Sequence, residues 1–317
     1  MNKTLTTADV PPQFLAAAML VGHIPQTALR SDPRLSYALY VPPTHYNPNP
    51  KANRRPEGGS LPLLPLLVTI HGTKRDISPI HKALVPFAEA TPCAVLAPLF
   101  PACLDHPLDL DSYKGLRSRT LRSDLALLGM LDEVGHRWPG IDTSRVYLMG
   151  FSGGGQFAHR FLYLYPERLV AVSVGAPGST TLLDPAQKWP AGIADVEDLF
   201  GRSVDKELIR RVAIHLVVGG ADVDIHGSEE FWEWLIQSGL IPGRTQKDVR
   251  DGGKAAAVRN RLGTIRQLQT RWKEDGIEAQ LDIVPGAAHE SAKVQGHVLQ
   301  FMESLMRQSR IPLSARS

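Results

Sequence analysis

Cysteine is scarce in this chain of 317 residues, and Cys93 and Cys103 are its only two. Both lie beside one apolar run. If that run is a strand, the residues between them, at about 3.3 Å each, hold the two sulfur atoms too far apart to bond. Two reduced thiols argue against a disulfide-stapled secreted scaffold, and we expect a cytoplasmic protein.

Long apolar runs and an excess of one charge are lacking as well. The chain has no stretch of about 18 uninterrupted apolar residues, so we expect no membrane span. Its net charge is only +3 and is evenly spread. That balance argues against a nucleic-acid partner.

The N-terminal region contains an apolar patch, Phe14 to Ile24, that could be mistaken for a secretory signal. Asp9 and Pro11-Pro12 precede it, Lys3 is the only basic residue before it, and a clear small-x-small cleavage site is missing. We therefore predict a helix there, within an N-terminal extension (residues 1–35) that packs on the body of the protein.

Apolar runs typical of buried strands recur along the rest of the chain, and helical patterns separate them. The runs are Leu63–Ile70, Cys93–Phe100, Val146–Met149, Leu169–Val174, Val212–Val218 and Ala279–Val284. Ser36–Pro42 alternates polar and apolar residues, as an edge or early strand does. This order predicts an α/β fold with a mostly parallel sheet covered by helices on both faces. In such sheets the chemistry collects at the carboxyl edge.

One of these runs leads into Gly150-Phe151-Ser152-Gly153-Gly154. An apolar strand precedes this G-x-S-x-G motif and a helical pattern follows it, which is the context of a nucleophile elbow. We expect the tight turn to strain the backbone of Ser152 and to lift its hydroxyl out of the sheet edge. A phosphate-cradling turn is the alternative, but the lysine of a P-loop and the G-x-G-x-x-G spacing are missing.

A serine nucleophile needs a base, and the base needs an orienting carboxylate. Downstream of Ser152, loops that follow apolar runs offer Asp222 or Asp224 and then His289. We predict Asp222, because it falls just past the tight turn at Gly219-Gly220 and Asp224 lies two residues further out. The competing histidines lie within helices or strands or precede the elbow, and they are His71, His159, His215 and His297.

The negative charge that develops during acyl transfer needs two backbone N–H donors. We predict that Gly153 supplies one and that Thr73, in the loop after the Leu63–Ile70 run, supplies the other. The alternative is that His71-Gly72-Thr73 is simply a turn.

With these motifs the chain resembles the α/β-hydrolase family, and within it the esterases related to feruloyl esterases and polyhydroxybutyrate depolymerases. The segments that carry the resemblance are Tyr40-Val41-Pro42, His71-Gly72-Thr73, Ile141 to Gly154 and Pro285 to His289. The resemblance implies an α/β-hydrolase domain over residues 36–317, with Ser152 as nucleophile, His289 as base and Asp222 as acid. Neither a metal nor an organic cofactor is expected.

Three further expectations concern substrate binding. Residues 179–211 follow the strand whose exit loop commonly carries insertions in this fold, and we predict a small cap there, with Trp189 lining the pocket. Packing onto the body is the alternative. In the loops that flank the mouth, Lys114 and Arg75 are candidates to bind an anionic or carbonyl group, whereas pairing with nearby acids is the alternative.

The sequence therefore predicts a serine esterase that cleaves a modest-sized carboxylic ester of a small molecule through an acyl-enzyme. The same triad also serves thioester or peptide cleavage, acyl transfer and cyclisation, and the fold does not choose among them. A binding protein without catalytic activity is the second alternative.

Overall fold

The computed structural model describes residues 5–50, Ala52, 62–106, 109–223 and 260–310. The strands among them are β1 (Gly22–Leu29), β2 (Asp32–Val41), β3 (Leu64–Ile70), β4 (Ala94–Leu99), β5 (Ile141–Phe151), β6 (Leu169–Gly175), β7 (Ala213–Gly219) and β8 (Gln280–Val284). These described strands form one sheet in the order β1-β2-β4-β3-β5-β6-β7-β8. Strands β3 to β8 pair in parallel, whereas β2 is antiparallel to both β4 and β1. The predicted mostly parallel sheet is confirmed.

Helices cover both faces of the sheet. They are α1 (Ser78–Ala90), α2 (Ser123–Arg137), α3 (Gly153–Leu164), α4 (Val196–Phe200), α5 (Lys206–Arg210), α6 (Arg261–Glu274) and α7 (Ser291–Arg310). Alternate residues of β5 enter two different apolar clusters, because successive strand side chains point to opposite faces. Val146 and Leu148 join the cluster that includes α2, α3 and α6, and Tyr147 and Met149 join the one that includes α1 and α7.

The N-terminal prediction is wrong in two respects. The patch from Phe14 to Ile24 is not a helix, since a short 3-10 turn at Pro12–Phe14 is followed by turns and then by β1. The expected boundary after residue 35 falls inside β2, so residues 22–41 are part of the sheet. Strand β1 is not recognisable from the sequence because Pro25 interrupts its strand pattern. Proline is tolerated at this position because β1 lies at the edge of the sheet.

Residues 179–211 are all described and contain α4, α5 and no strand. Phe200 and Ile209 are buried in the same apolar cluster as α3. The indole N–H of Trp189 donates to the carbonyl of Gly115 (2.7 Å), and its ring meets Phe200 edge-on at 5.1 Å. These contacts favour packing onto the body, and a cap over the mouth stays a prediction.

Two simpler expectations are also addressed by the fold. Cys93 is buried, Cys103 is exposed, and no disulfide joins them. Within the described ranges, no helix is long and apolar enough to cross a membrane.

Candidate active site

Ser152 occupies the sharp turn between β5 and α3. Its backbone angles are φ 58° and ψ −116°, a region that non-glycine residues rarely adopt. A Cβ atom on Gly154 would overlap the carbonyl oxygen of Ile70, so only glycine allows α3 to approach β3 this closely. The turn therefore holds the half-buried Ser152 in a strained conformation at the carboxyl edge of the sheet.

The loops after β7 and β8 bring Asp222 and His289 together. The Nδ1 atom of His289 lies 2.7 Å from Oδ2 of Asp222, whose side chain is fully buried. Backbone bonds tie the two loops to each other, from Gly220 N–H to the Val284 carbonyl (2.8 Å) and from Ala221 N–H to the Ala287 carbonyl (2.9 Å). The pair is thus fixed by the backbone of two neighbouring strand ends.

This pairing defines what the imidazole of His289 can do. With Nδ1–H donating to the carboxylate, Nε2 keeps a lone pair that can accept a proton. The His289 ring packs on Phe151, the residue before Ser152, with centroids 4.8 Å apart. Among the described residues, no hydrogen bond joins Ser152 Oγ to His289. Such bonds often form only once substrate is bound.

Arg261 is a residue of this site that the sequence did not indicate. It is the first residue of α6, and its Nη1 atom lies 3.3 Å from Oδ1 of Asp222. The arginine thereby helps to compensate a carboxylate that has no solvent contact. No sequence motif links residues 222 and 261, and the competing candidate Asp224 lies outside the described residues.

The two predicted oxyanion donors flank Ser152. A Cβ atom on Gly72 would lie 3.9 Å from Cβ of Ser152, and one on Gly153 would lie 3.2 Å from Oγ1 of Thr73. In this described region, neither Thr73 N–H nor Gly153 N–H donates to another protein group. Two unengaged N–H groups beside the serine are what an oxyanion site requires.

His71 braces the loop that carries Thr73. Its Nε2 atom accepts from the N–H of Phe100 (3.0 Å), and its Nδ1 atom lies 2.8 Å from the Gly72 carbonyl. Burial lowers the pKa of His71 to about 3, so the ring is neutral. These contacts give His71 a structural place rather than that of the catalytic base.

Arg75 lies in the same loop, and its contacts favour a brace over a substrate ligand. Its Nε, Nη1 and Nη2 atoms donate to the carbonyls of Phe100, Thr73 and Leu110 at 2.9, 2.8 and 3.0 Å. Lys114 differs, because its ammonium meets one carboxylate, that of Asp111, close to Gly153. Over the described ranges, no group of three or more His, Cys, Asp or Glu side chains is suited to hold a metal ion.

The comparison with known proteins supports the fold. No family model and no curated protein matches the chain. A poly(3-hydroxybutyrate) depolymerase structure from Bordetella parapertussis is 21% identical, with a TM-score of 0.61 over 98% of this chain and 97% of that chain. Poly(aspartic acid) hydrolase-1 from Sphingomonas sp. KT-1 is also 21% identical, with a TM-score of 0.57 over 84% and 92%. A ferulic acid esterase is 12% identical, with a TM-score of 0.50 over 90% and 96%.

These structures show that the chain has the α/β-hydrolase fold. The resemblance to this group that the motifs indicated is confirmed at the level of the fold. At such identities, the activities of those proteins are not carried over to this chain.

Proposed function

We propose that the protein is a serine hydrolase that cleaves carboxylic esters through Ser152, His289 and Asp222. The observation that carries the proposal is that the His289 ring packs on Phe151, the residue before the strained Ser152, while its Nδ1 is held 2.7 Å from a buried aspartate. These two features lie at the carboxyl edge, on the ends of β5, β7 and β8.

The reaction follows from the roles of the three side chains. His289 Nε2 takes the proton of Ser152 Oγ as the oxygen attacks the ester carbonyl carbon. The carbonyl oxygen becomes an oxyanion and accepts from the N–H groups of Gly153 and Thr73. The protonated imidazole then gives its proton to the leaving alcohol, and the C–O bond to that alcohol breaks.

The acyl-enzyme is resolved by water in the same way. His289 takes a proton from the water, the hydroxide oxygen attacks the acyl carbon, and Ser152 Oγ leaves with that proton. The Asp222 carboxylate stabilises the imidazolium that forms twice in each cycle. Its complete burial keeps this interaction unscreened by solvent.

We place esters before the alternatives with the same triad because two of the three named structural neighbours are a poly(3-hydroxybutyrate) depolymerase and a ferulic acid esterase. The third is a poly(aspartic acid) hydrolase, which makes amides the first alternative to test. Cleavage of thioesters or amides, and acyl transfer to acceptors other than water, would use the same residues. Comparing turnover rates on each type of substrate distinguishes these reactions from ester hydrolysis.

The test is a series of p-nitrophenyl esters from acetate to octanoate, with Ser152→Ala as the reference protein. We expect the wild-type protein to turn over the shorter esters and to show a burst of p-nitrophenol when deacylation is slow. A phenyl thioester and an anilide of the same acyl group belong in the same assay. Wild-type rates equal to those of Ser152→Ala on every ester would contradict the proposal.

A further inference from the structure

A buried positive charge lies next to the predicted oxyanion site. Lys114 is in the turn between β4 and α2, and its side chain is 8% exposed. A Cβ atom on Gly153 would lie only 2.8 Å from Cε of Lys114 and would also overlap the hydroxyl of Tyr113. The lysine stem therefore packs directly against the residue that follows Ser152.

Other charges around Lys114 add to its positive field. Arg160, in α3, is buried and donates from Nη1 to the Lys114 carbonyl (2.8 Å). Burial lowers the pKa of Lys114, Asp111 acts against this, and the nearby Arg75 and Arg160 lower it further. Arg75 and Arg160 thus add positive charge around Lys114, which itself packs against Gly153.

The acid that pairs with Lys114 is itself exposed to solvent. The Asp111 side chain is 81% exposed, yet its Oδ1 atom contacts the lysine ammonium. The Asp111 carboxylate therefore contacts both solvent and the lysine ammonium. The place taken by the Asp111 carboxylate is where the carboxylate of a bound molecule would dock.

Packing alone does not account for a lysine at this position. Burying an ammonium is unfavourable unless its charge is compensated, and an apolar side chain such as methionine would fill the space beside Gly153 without that penalty. In the described structure, Asp111 is the one hydrogen-bond partner of an ammonium that has three N–H donors.

We propose that Lys114 selects esters that carry a carboxylate near the scissile carbonyl, and that Asp111 occupies this subsite when substrate is absent. The inference rests on the proposed function and adds a substrate class to it. The carboxylate belongs either to the acyl group or to the alcohol, since both lie close to an oxyanion bound at Gly153.

Three esters separate these sources. Phenyl hydrogen adipate and phenyl hexanoate differ by a carboxylate on the acyl group, and 3-carboxyphenyl hexanoate and phenyl hexanoate differ by one on the alcohol. We expect wild-type kcat/KM to favour the anionic member of one pair by at least about 10-fold, the range of one charge-assisted hydrogen bond.

Two variants move this preference in opposite directions. Lys114→Met should bring the ratio of kcat/KM within the pair to about one. Asp111→Asn removes the competing carboxylate and should lower KM for the anionic ester, which a merely structural ion pair would not do. Lys206→Met is the matched control, because Lys206 also pairs with an aspartate, Asp275 at 2.5 Å, but between α5 and the end of α6.

The results that would overturn this inference differ from those that would overturn the proposed function. Hydrolysis of phenyl hexanoate without preference for either anionic ester would overturn the inference and leave the esterase proposal standing. An unchanged ratio in Lys114→Met, or an unchanged KM in Asp111→Asn, would overturn it too. Should Lys114→Met fail to fold, Asp111→Asn decides. Wild-type rates no higher than those of Ser152→Ala on all three esters would instead contradict the proposed function.

Discussion

The described part of the chain brings together two Ser–His–Asp sets, and their differences are instructive. The edge set is Ser152, His289 and Asp222. The inner set is Ser173 in β6, His215 in β7 and Asp282 in β8. In the inner set, Ser173 Oγ lies 2.9 Å from Nδ1 of His215, and Nε2 of His215 lies 3.2 Å from Oδ2 of Asp282. By hydrogen bonding alone, the inner set is the more complete of the two.

The positions of the two sets in the sheet nevertheless favour the edge set as the site of reaction. Ser173 and His215 are register partners on adjacent strands, both are buried, and the ring of Phe301 stacks on His215 at 4.9 Å. Ser152 instead lies beyond the end of β5, half-buried and at positive φ. A carbonyl can reach the edge serine, whereas the inner serine lies under α7. We therefore propose that access and backbone strain, rather than residue types, make the edge set the reactive one and the inner set a structural network.

The largest expected effect is the difference in kcat between variants of the two aspartates. Asp222→Asn should lower kcat by about 10³- to 10⁴-fold, because an amide favours the wrong tautomer of His289. Asp282→Asn should keep kcat within about threefold and should lower the free energy of unfolding by about 1–2 kcal/mol, because the carboxylate contacts both His215 and His297 and one hydrogen bond contributes about 1 kcal/mol. Ester kinetics and urea unfolding of both variants measure this. Equal losses of kcat would remove the distinction between the two sets.

A smaller effect concerns the pH dependence of stability. Burial lowers the pKa of His215 from 6.5, so below pH 6.5 the unfolded chain binds a proton that the folded protein does not. Stability should therefore fall as pH drops from about 6.5 towards the folded-state pKa. His215→Gln should make this decline shallower by up to about 1.4 kcal/mol per pH unit.

Urea unfolding between pH 5 and 7 gives this slope. Val172→Ala is the control, since it removes buried apolar volume in the same sheet without changing a titrating group. A slope in His215→Gln as steep as that of Val172→Ala would mean that His215 takes up its proton equally in both states.

Much of the fold could be predicted from the sequence because the central strands are buried on both faces. Their continuous apolar runs, and the glycines around Ser152, are local signals of strand, turn and helix. The positions of Asp222 and His289 followed from the same reasoning, since each ends a recognisable run. The edge strand β1 has no such signal, because it is half solvated and contains Pro25.

The remaining features depend on register and on distant packing. The contact of Arg261 with Asp222 joins residues on different elements, and nothing local in either segment encodes it. The inner set arises only because β6, β7 and β8 align Ser173, His215 and Asp282 across the sheet. The approach of Lys114 to Gly153 likewise requires the turn before α2 to fold back onto α3.

The central claim is that Ser152, and not Ser173, is the nucleophile. The direct measurement is to react the folded protein with a fluorophosphonate probe and to locate the modified residue by mass spectrometry of its peptides, with Ser152→Ala and Ser173→Ala as paired controls. We predict stoichiometric labelling on Ser152, loss of labelling and of ester turnover in Ser152→Ala, and retention of both in Ser173→Ala. Labelling of the wild-type protein on any other serine, or undiminished labelling of Ser152→Ala, would contradict the account.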